Sequence, residues 1–299
     1  MKQILIIGSS VIDVILNVPA LPRRGEDVNI SSCEYHIGGC AYNVYRALSH
    51  FRSPARLCSP VGSGIFGRMV REQFSREGLE PFIVLERENG CCYCLIEPDG
   101  ERTFISHHGV EYLFYRSWME NFDFSTADSI FFCGIDVEEE TGDEMVEFSC
   151  EHPELELYFS PGPRIAHIPH ERMERLFSRR DLAGKGPFLH LNEEEALELS
   201  GKAGVEAAAE CLAARTVNSV VITLGEQGCF CLPGPGLRGS RIAGFPSTVI
   251  NTVGAGDAHC GALIACIRQG KSLVDSCLAA NRIGAAVVGK GGAILASFP

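Results

Sequence analysis

The stretch Asn251-Thr252-Val253-Gly254-Ala255-Gly256-Asp257-Ala258 leads into an apolar helical pattern that runs to Ile267. Two glycines and an alanine allow a tight turn whose backbone N–H groups point outward. The N-terminus of the helix behind them favours negative charge. A transferring phosphoryl group would be held well there, and an Asp in the first helical turn is placed to act as base toward a hydroxyl nucleophile. Asp257 equally meets the requirements of a helix N-cap after a Gly-rich turn, and the stretch by itself leaves both roles open.

Upstream of this turn, strand-length apolar runs alternate with amphipathic helical runs. Ile4–Ile7, Ala55–Val61, Ser129–Cys133, Glu156–Ser160, Phe188–Leu191 and Val220–Leu224 have strand character. Phe66–Glu77, Glu138–Cys150, Glu171–Ser178, Glu193–Ser200 and Val205–Arg215 have helical periodicity, and Ser272–Val288 forms a closing helix. The alternation predicts an α/β fold, a mainly parallel sheet with helices on both faces. Two regions break it. Residues 13–36 hold period-two segments with no helix between them. Residues 91–106 are patterned as a hairpin, Cys91–Glu97 and Glu101–Ser106, with turn chemistry from Pro98-Asp99-Gly100. Short antiparallel strands inserted into such a chain suggest a small β lid over a site at the carboxyl ends of the parallel strands. With no repeat, low-complexity tract or linker, residues 1–299 are expected to form one domain.

Composition narrows the function. The hydrophobic fraction is 45% and the charged fraction 21%, which excludes a largely disordered chain. Net charge is −12 with no long Lys/Arg run, which argues against nucleic-acid or acidic-membrane partners. No apolar run is long enough to span a bilayer. Met1–Gly8 superficially resembles a signal peptide, but its apolar run is short and Asp13 interrupts any continuation, so it is expected to be the buried first strand of a cytoplasmic protein. The 14 Cys suit a reducing compartment as small buried hydrophobes; the clusters Cys91-Cys92-x-Cys94 and Cys229-x-Cys231 lack zinc-site spacing.

Four further segments carry candidate chemistry. Gly8 and Asp13 end the first strand in a polar turn. In His36-Ile37-Gly38-Gly39-Cys40-Ala41-Tyr42-Asn43, the glycines let backbone approach a small polar ligand and Asn43 offers a donor and an acceptor. Asn192-Glu193-Glu194-Glu195 opens a helix after a strand: Asn192 can cap it, or Asn192 and Glu195 can organise a hydrated Mg²⁺ beside phosphates. Thr223-Leu224-Gly225-Glu226-Gln227-Gly228 is a strand-end turn or a nucleotide-contacting loop. Gly62-Ser63-Gly64-Ile65-Phe66-Gly67 has the spacing of a dinucleotide-binding turn, although it does not open a new βαβ half. His107-His108 lies beside the hairpin without an acid or Cys at metal spacing, which suits surface or lid residues. No P-loop and no nucleophile elbow occur.

The order of these motifs, Gly8 with Asp13, Gly38-Gly39-x-x-x-Asn43, Val61-Gly62-x-x-x-Phe66-Gly67, Asn192-x-x-Glu195, Thr223-Leu224-Gly225-x-x-Gly228 and Gly254-Ala255-Gly256-Asp257, resembles the ribokinase-like (PfkB) carbohydrate kinase family over nearly the whole chain. The resemblance implies a three-layer α/β/α sandwich with a β lid, and transfer of the γ-phosphoryl of ATP, with Mg²⁺, to an alcohol of a sugar or nucleoside. It implies Asp257 as base, the amides of Ala255, Gly256 and Asp257 as anion hole after Gly254, and Asp13, Gly38, Gly39 and Asn43 as acceptor-binding positions. It places Asn192 and Glu195 at metal and phosphate, and Thr223, Gly225 and Gly228 at the nucleotide. Val61-Gly62-x-x-x-Phe66-Gly67 is then a family element, which disposes of the dinucleotide assignment.

Departures from the family pattern carry expectations too. Asn251 stands where cation-activated members have Asp, which weakens the case for monovalent-cation activation. His259 replaces a common aromatic, Ser63 falls where Asp is common, and Cys40 and Tyr42 are bulkier than usual, so an unusual acceptor pocket is expected. A catalytically weak, kinase-like binding or regulatory protein and a nicotinamide-dependent oxidoreductase resting on Gly62–Gly67 are the other classes, separable by ATP turnover and by dinucleotide titration. Asp13 and Asp257 favour a neutral polyhydroxylated acceptor over a phosphorylated one, which would need compensation from a residue such as Arg102 on the hairpin. The unpaired strand edges of a lid suit pairing with a second subunit.

Overall fold

Ile4–Ile7 divides by strict alternation: Ile4 and Ile6 enter one apolar core, Leu5 and Ile7 another. A strand buried on both faces must lie inside a sheet covered by helices on each side. The computed structural model, which describes residues 2–249 and 252–289, shows that arrangement. The chain runs β1 (Gln3–Ile7), β2 (Val11–Asn17), β3 (Ser32–Gly38), α1 (Cys40–His50), β4 (Ala55–Cys58), β5 (Pro60–Ser63) and α2 (Gly64–Glu77). It continues through β6 (Ile83–Glu88), β7 (Cys91–Ile96), β8 (Arg102–His107), β9 (Ala127–Cys133), α3 (Gly134–Glu138), α4 (Gly142–Glu151), β10 (Glu156–Ser160) and α5 (His170–Ser178). It closes with β11 (Phe188–Asn192), α6 (Glu193–Ser200), α7 (Val205–Thr216), β12 (Val220–Thr223), β13 (Cys229–Leu232), β14 (Ser240–Ile242), α8 (Ala255–Arg268) and α9 (Leu273–Val288).

The central sheet has the order β14-β13-β12-β11-β10-β9-β1-β4. Its strands from β12 to β4 pair in parallel, and β13 and β14 extend it antiparallel. Apolar residues of α1, α2, α8 and α9 fill the core on one face, and those of α3 to α7 the core on the other. This is the three-layer α/β/α sandwich. β1 lies between β4 and β9, so successive strands leave it in opposite directions. That reversal leaves a crevice at the carboxyl end of β1.

Both interruptions of the alternation meet there. β2 pairs antiparallel with β3 and parallel with β7, and β7 pairs antiparallel with β8. The result is one four-stranded sheet, β3-β2-β7-β8. Glu111, fully buried, fastens its base: the carboxylate accepts from the amides of Gly90 and Gly109, each at 2.9 Å, just outside the two ends of the β7–β8 hairpin.

The structure corrects several boundaries. Ala55–Val61 is two strands, not one: β4 joins the central sheet, while β5, opening with a proline that cannot donate to a ladder, pairs with β6 in a separate two-stranded sheet. Glu138–Cys150 is not a continuous helix, because Glu139 adopts extended backbone between α3 and α4. β6, β13 and β14 were not anticipated.

Candidate active site

Helices α1 and α8 cross closely at Gly261, where a Cβ would come within 2.6 Å of the Ala47 Cβ. That approach sets Asn43 of α1 against Asp257 in the first turn of α8: Asn43 Nδ2 donates to Asp257 Oδ2 at 2.9 Å. Burial pushes the Asp257 carboxyl above its ordinary range, and hydrogen bonds from Asn43 and Cys40 oppose the shift. Asp13, on β2, is pushed up to about 7 by burial and by the charge of Asp257, with His36 acting in the other direction. The glycine pair is explained here. A Cβ on Gly38 would collide with the Asp13 carboxylate, and Gly39, at φ 99°, would place one 2.5 Å from the Ser9 carbonyl. Gly254 caps α8 in the left-handed region at φ 72°, and the Ala255 amide donates to the Thr252 carbonyl at 3.2 Å. Among the described residues outside its own helical turn, nothing lies within 4 Å of where a Gly256 Cβ would stand.

Asn192 and Thr223 are in-register partners at the carboxyl ends of β11 and β12. Asn192 caps α6 in a full capping box: its Oδ1 accepts from the Glu195 amide at 2.8 Å, and Glu195 Oε2 accepts from the Asn192 amide at 3.0 Å. Asn192 Nδ2 also donates to Glu195 Oε1 at 2.9 Å. Burial raises the Glu195 carboxyl, and the charge of Asp257 adds to that rise, so the two acids share one field. Gly228 lies where a Cβ would strike the Ile242 carbonyl, so β14 requires a glycine there, whereas Gly225 at φ 59° faces open space. Among the described residues no group of three or more His, Cys, Asp or Glu side chains could hold a metal ion. Mg²⁺ fits this donor set only as a hydrated ion shared with phosphates, since each Glu195 oxygen already accepts a bond from Asn192.

Sequence reasoning missed a buried polar group on the other side of Cys40. Asp136 of α3 is 1% exposed; Cys133 Sγ donates to its Oδ2 at 2.9 Å, and among the described residues its Oδ1 has no hydrogen-bond partner. Burial pushes this carboxyl up to about 7. A Cβ on Gly8 would lie 2.6 Å from Asp136 Oδ2, so the glycine at the end of β1 makes room for an acid beyond the end of β9. Gly8 was the only local sign of this group.

The two bulkier residues after the glycine pair have different surroundings. Cys40 contacts Asp257, but Tyr42 is buried away from it, stacked on Phe74 and donating to Glu77 Oε1 at 2.7 Å. A Cβ on Gly67 would strike the Gly62 carbonyl, and one on Gly62 the Arg87 carbonyl, so that Gly-rich turn serves packing against β6. His107 is exposed, whereas His108 pairs with Glu139 and stacks on Tyr112 at 4.1 Å between centroids. His259 joins His190 and Asn281 in a buried chain of 2.9 Å bonds. Asn251 lies outside the described residues.

A doubly covered parallel sheet with an acid at an anion-favouring helix start, beneath an inserted β sheet, is the plan of a phosphotransferase that acts on alcohol groups, and this chain is one. Residues 1–299 match the pfkB family carbohydrate kinase model, and the chain belongs to that family. It is 31% identical over 296 residues to the uncharacterized sugar kinase YegV of Escherichia coli, covering 97% of this chain and 90% of that protein. Adenosine kinase from Sinorhizobium meliloti superposes with a TM-score of 0.85 at 18% identity, covering 99% of this chain and 96% of that one. Arabidopsis thaliana ribokinase, solved with ribose and ATP, gives 0.77 at 19% identity, with coverages of 98% and 94%. These two likenesses show the fold. No helix among the described residues is long and apolar enough to cross a membrane.

Proposed function

We propose that this kinase transfers the γ-phosphoryl group of ATP to a hydroxyl of a neutral sugar or nucleoside, with Asp257 as general base. The observation that carries the assignment is the 2.9 Å bond from Asn43 to Asp257. It joins an acceptor-binding position to the base, so a hydroxyl held by Asn43, Asp13 and the backbone at Gly38 and Gly39 stands beside the group that takes its proton. The acceptor oxygen forms the new P–O bond, its proton passes to the Asp257 carboxylate, and the bond to ADP breaks. The turn at Gly254, Ala255 and Gly256 directs the positive end of α8 at the developing phosphoryl charge, although the Ala255 amide, expected in the anion hole, is held by the Thr252 carbonyl. Thr223, Gly225 and Gly228 form the nucleotide side. Asn192 and Glu195 would hold Mg²⁺ through water, where it would neutralise phosphate charge. Residues 13–36 and 91–106 act as the lid that excludes water from the acceptor.

The crowding of acids favours a neutral acceptor. The charge of Asp257 already raises the cost of ionising Asp13, and a dianion bound between the two would add to it. Asp257→Asn preserves size and capping ability. Assayed with ATP–Mg²⁺ across an acceptor panel, it should lose about 10²-fold or more in kcat with an unchanged melting temperature. A folded variant that keeps more than about a tenth of the rate would reduce Asp257 to a cap.

A further inference from the structure

One side chain links the β3-β2-β7-β8 sheet to the turn that opens α8. Arg102 Nη1, at the start of β8, donates to Thr252 Oγ1 at 2.5 Å, across 150 residues of sequence. Thr252 stands two residues before Gly254, the cap of α8. Among the described residues the Nε of the same guanidinium is buried without an acceptor, and no carboxylate pairs with Arg102. A guanidinium offers five N–H donors, and a buried donor of a cation left without a partner is costly. Arg46, Arg179 and Arg268 also keep a buried N–H without an acceptor among the described residues, but of these four groups Arg102 is the one on the inserted sheet, set against the turn that opens α8.

The pairing register says which way the side chain faces. Asp13 opposes Cys92, and Cys92 opposes Ser106, so these three share one face of the sheet. Arg102 lies four residues from Ser106 on the same strand and therefore on the same face. At about 3.3 Å per residue the two positions are roughly 13 Å apart along the strand. One face of the lid thus carries an acid over the acceptor position and a cation over the helix turn.

We propose that Arg102 is a lid-borne phosphoryl-binding residue: with the lid closed, its guanidinium binds phosphoryl oxygens at the Thr252–Gly254 turn. The inference rests on the kinase function above. The transferring phosphoryl of the nucleotide is the favoured source, because Arg102 bonds to the turn of α8 and not to an acceptor-binding residue, and because the acceptor end of the same face is acidic. A phosphate on the acceptor offers the same chemistry. A forked guanidinium suits either, donating to two oxygens at once from a charged group in a way that an amide cannot. Closure of the lid on an acceptor would then deliver positive charge to the reacting group at the same time.

The test compares full-length wild type, Arg102→Gln, Arg102→Lys and Thr252→Val by calorimetric titration, with acceptor present, of Mg–ADP and of the non-transferable β,γ-imido analogue of ATP, together with kcat and KM for a neutral acceptor and its monophosphate. Contact with the transferring group predicts that Arg102→Gln weakens the analogue and lowers kcat by about tenfold or more, that ADP affinity stays within about twofold, and that Lys restores part of the loss. Contact with an acceptor phosphate predicts instead that both nucleotides bind as in wild type and that only the KM of the monophosphate rises. Either result places a phosphoryl group on Arg102. Values for Arg102→Gln within about twofold of wild type throughout, or losses in Thr252→Val that match Arg102→Gln in every readout including ADP affinity, would make Arg102 a strut and overturn the proposal. Turnover by wild type with an unaffected Arg102→Gln overturns this assignment alone; a wild type that bound neither nucleotide would overturn the kinase function as well.

Discussion

Asp136 shows what a single buried acid costs. Its carboxyl is raised from 3.8 to about 7 by burial, so between those values the folded protein keeps a proton that the unfolded chain has released. Stability therefore falls as pH rises through that window, and above it a charged carboxylate with one unpartnered oxygen remains in the core. Asp136→Asn should raise the melting temperature at about pH 8, and the gain should shrink as pH falls to about 5. A gain that does not depend on pH would refute the charge as its cause. The same logic applies in the site. Burial, together with the charge of Asp257, holds the Asp13 carboxyl up at about 7. The acid limb of kcat/KM should have an apparent pKa close to that value, and Asp13→Asn, which removes one of the two charges, should move the limb to lower pH. A limb left in place would separate the two acids. Asp257, Gly254 and Gly256 were legible because they are neighbours in sequence and their chemistry is local. Asp136 was not, because it meets Gly8 only when β9 pairs with β1.

Elements were legible where pattern and length agreed. Ile4–Ile7 and Val220–Thr223 are strands because both faces are buried, and their apolar runs admit little else. β14 has three residues, Ser240–Ile242, none buried, and exists because β13 offers it an edge, so no local signal could announce it. The Asn192–Glu195 segment shows one element serving two purposes. Its capping box accounts for both residue types without any ligand. Asn192→Ala should therefore cost about 1 kcal/mol of stability by chemical denaturation. Glu195→Gln keeps an oxygen for the Asn192 backbone amide and loses the charge and the bond accepted from Asn192 Nδ2, so stability should change by less than in Asn192→Ala. If Glu195 also acts toward Mg²⁺ through water, this variant should need more Mg²⁺ for half-maximal rate. An unchanged Mg²⁺ dependence with a lowered melting temperature would confine the pair to capping.

At the scale of the molecule, the alternation of strands and helices made the sandwich legible, and the two breaks in it pointed to the inserted sheet. What the chain could not announce was that β2 and β7, on different insertions, would pair in parallel and make one sheet of both. That union means residues 13–36 and 91–106 should respond together. Binding of a neutral acceptor should slow amide exchange in both segments at once, and more than in the central strands, which are protected already. Slowing in one segment alone would show that the sheet does not move as a lid. Its edges raise a second consequence. β3 and β8 each have one strand partner among the described residues, and their exposed faces carry Tyr35 at 53% and Ile105 at 58% exposure. Open edges with large apolar side chains are unstable against pairing with another chain. Edge pairing with a second copy would cover both, whereas a net charge of −12 opposes close approach elsewhere on the surface. Sedimentation equilibrium should then show a species of twice the chain mass, and Ile105→Lys should shift it to the single chain without changing the melting temperature of that chain. A wild type that sediments as one chain at tens of micromolar would remove the second subunit and leave the lid's response to acceptor as it stands.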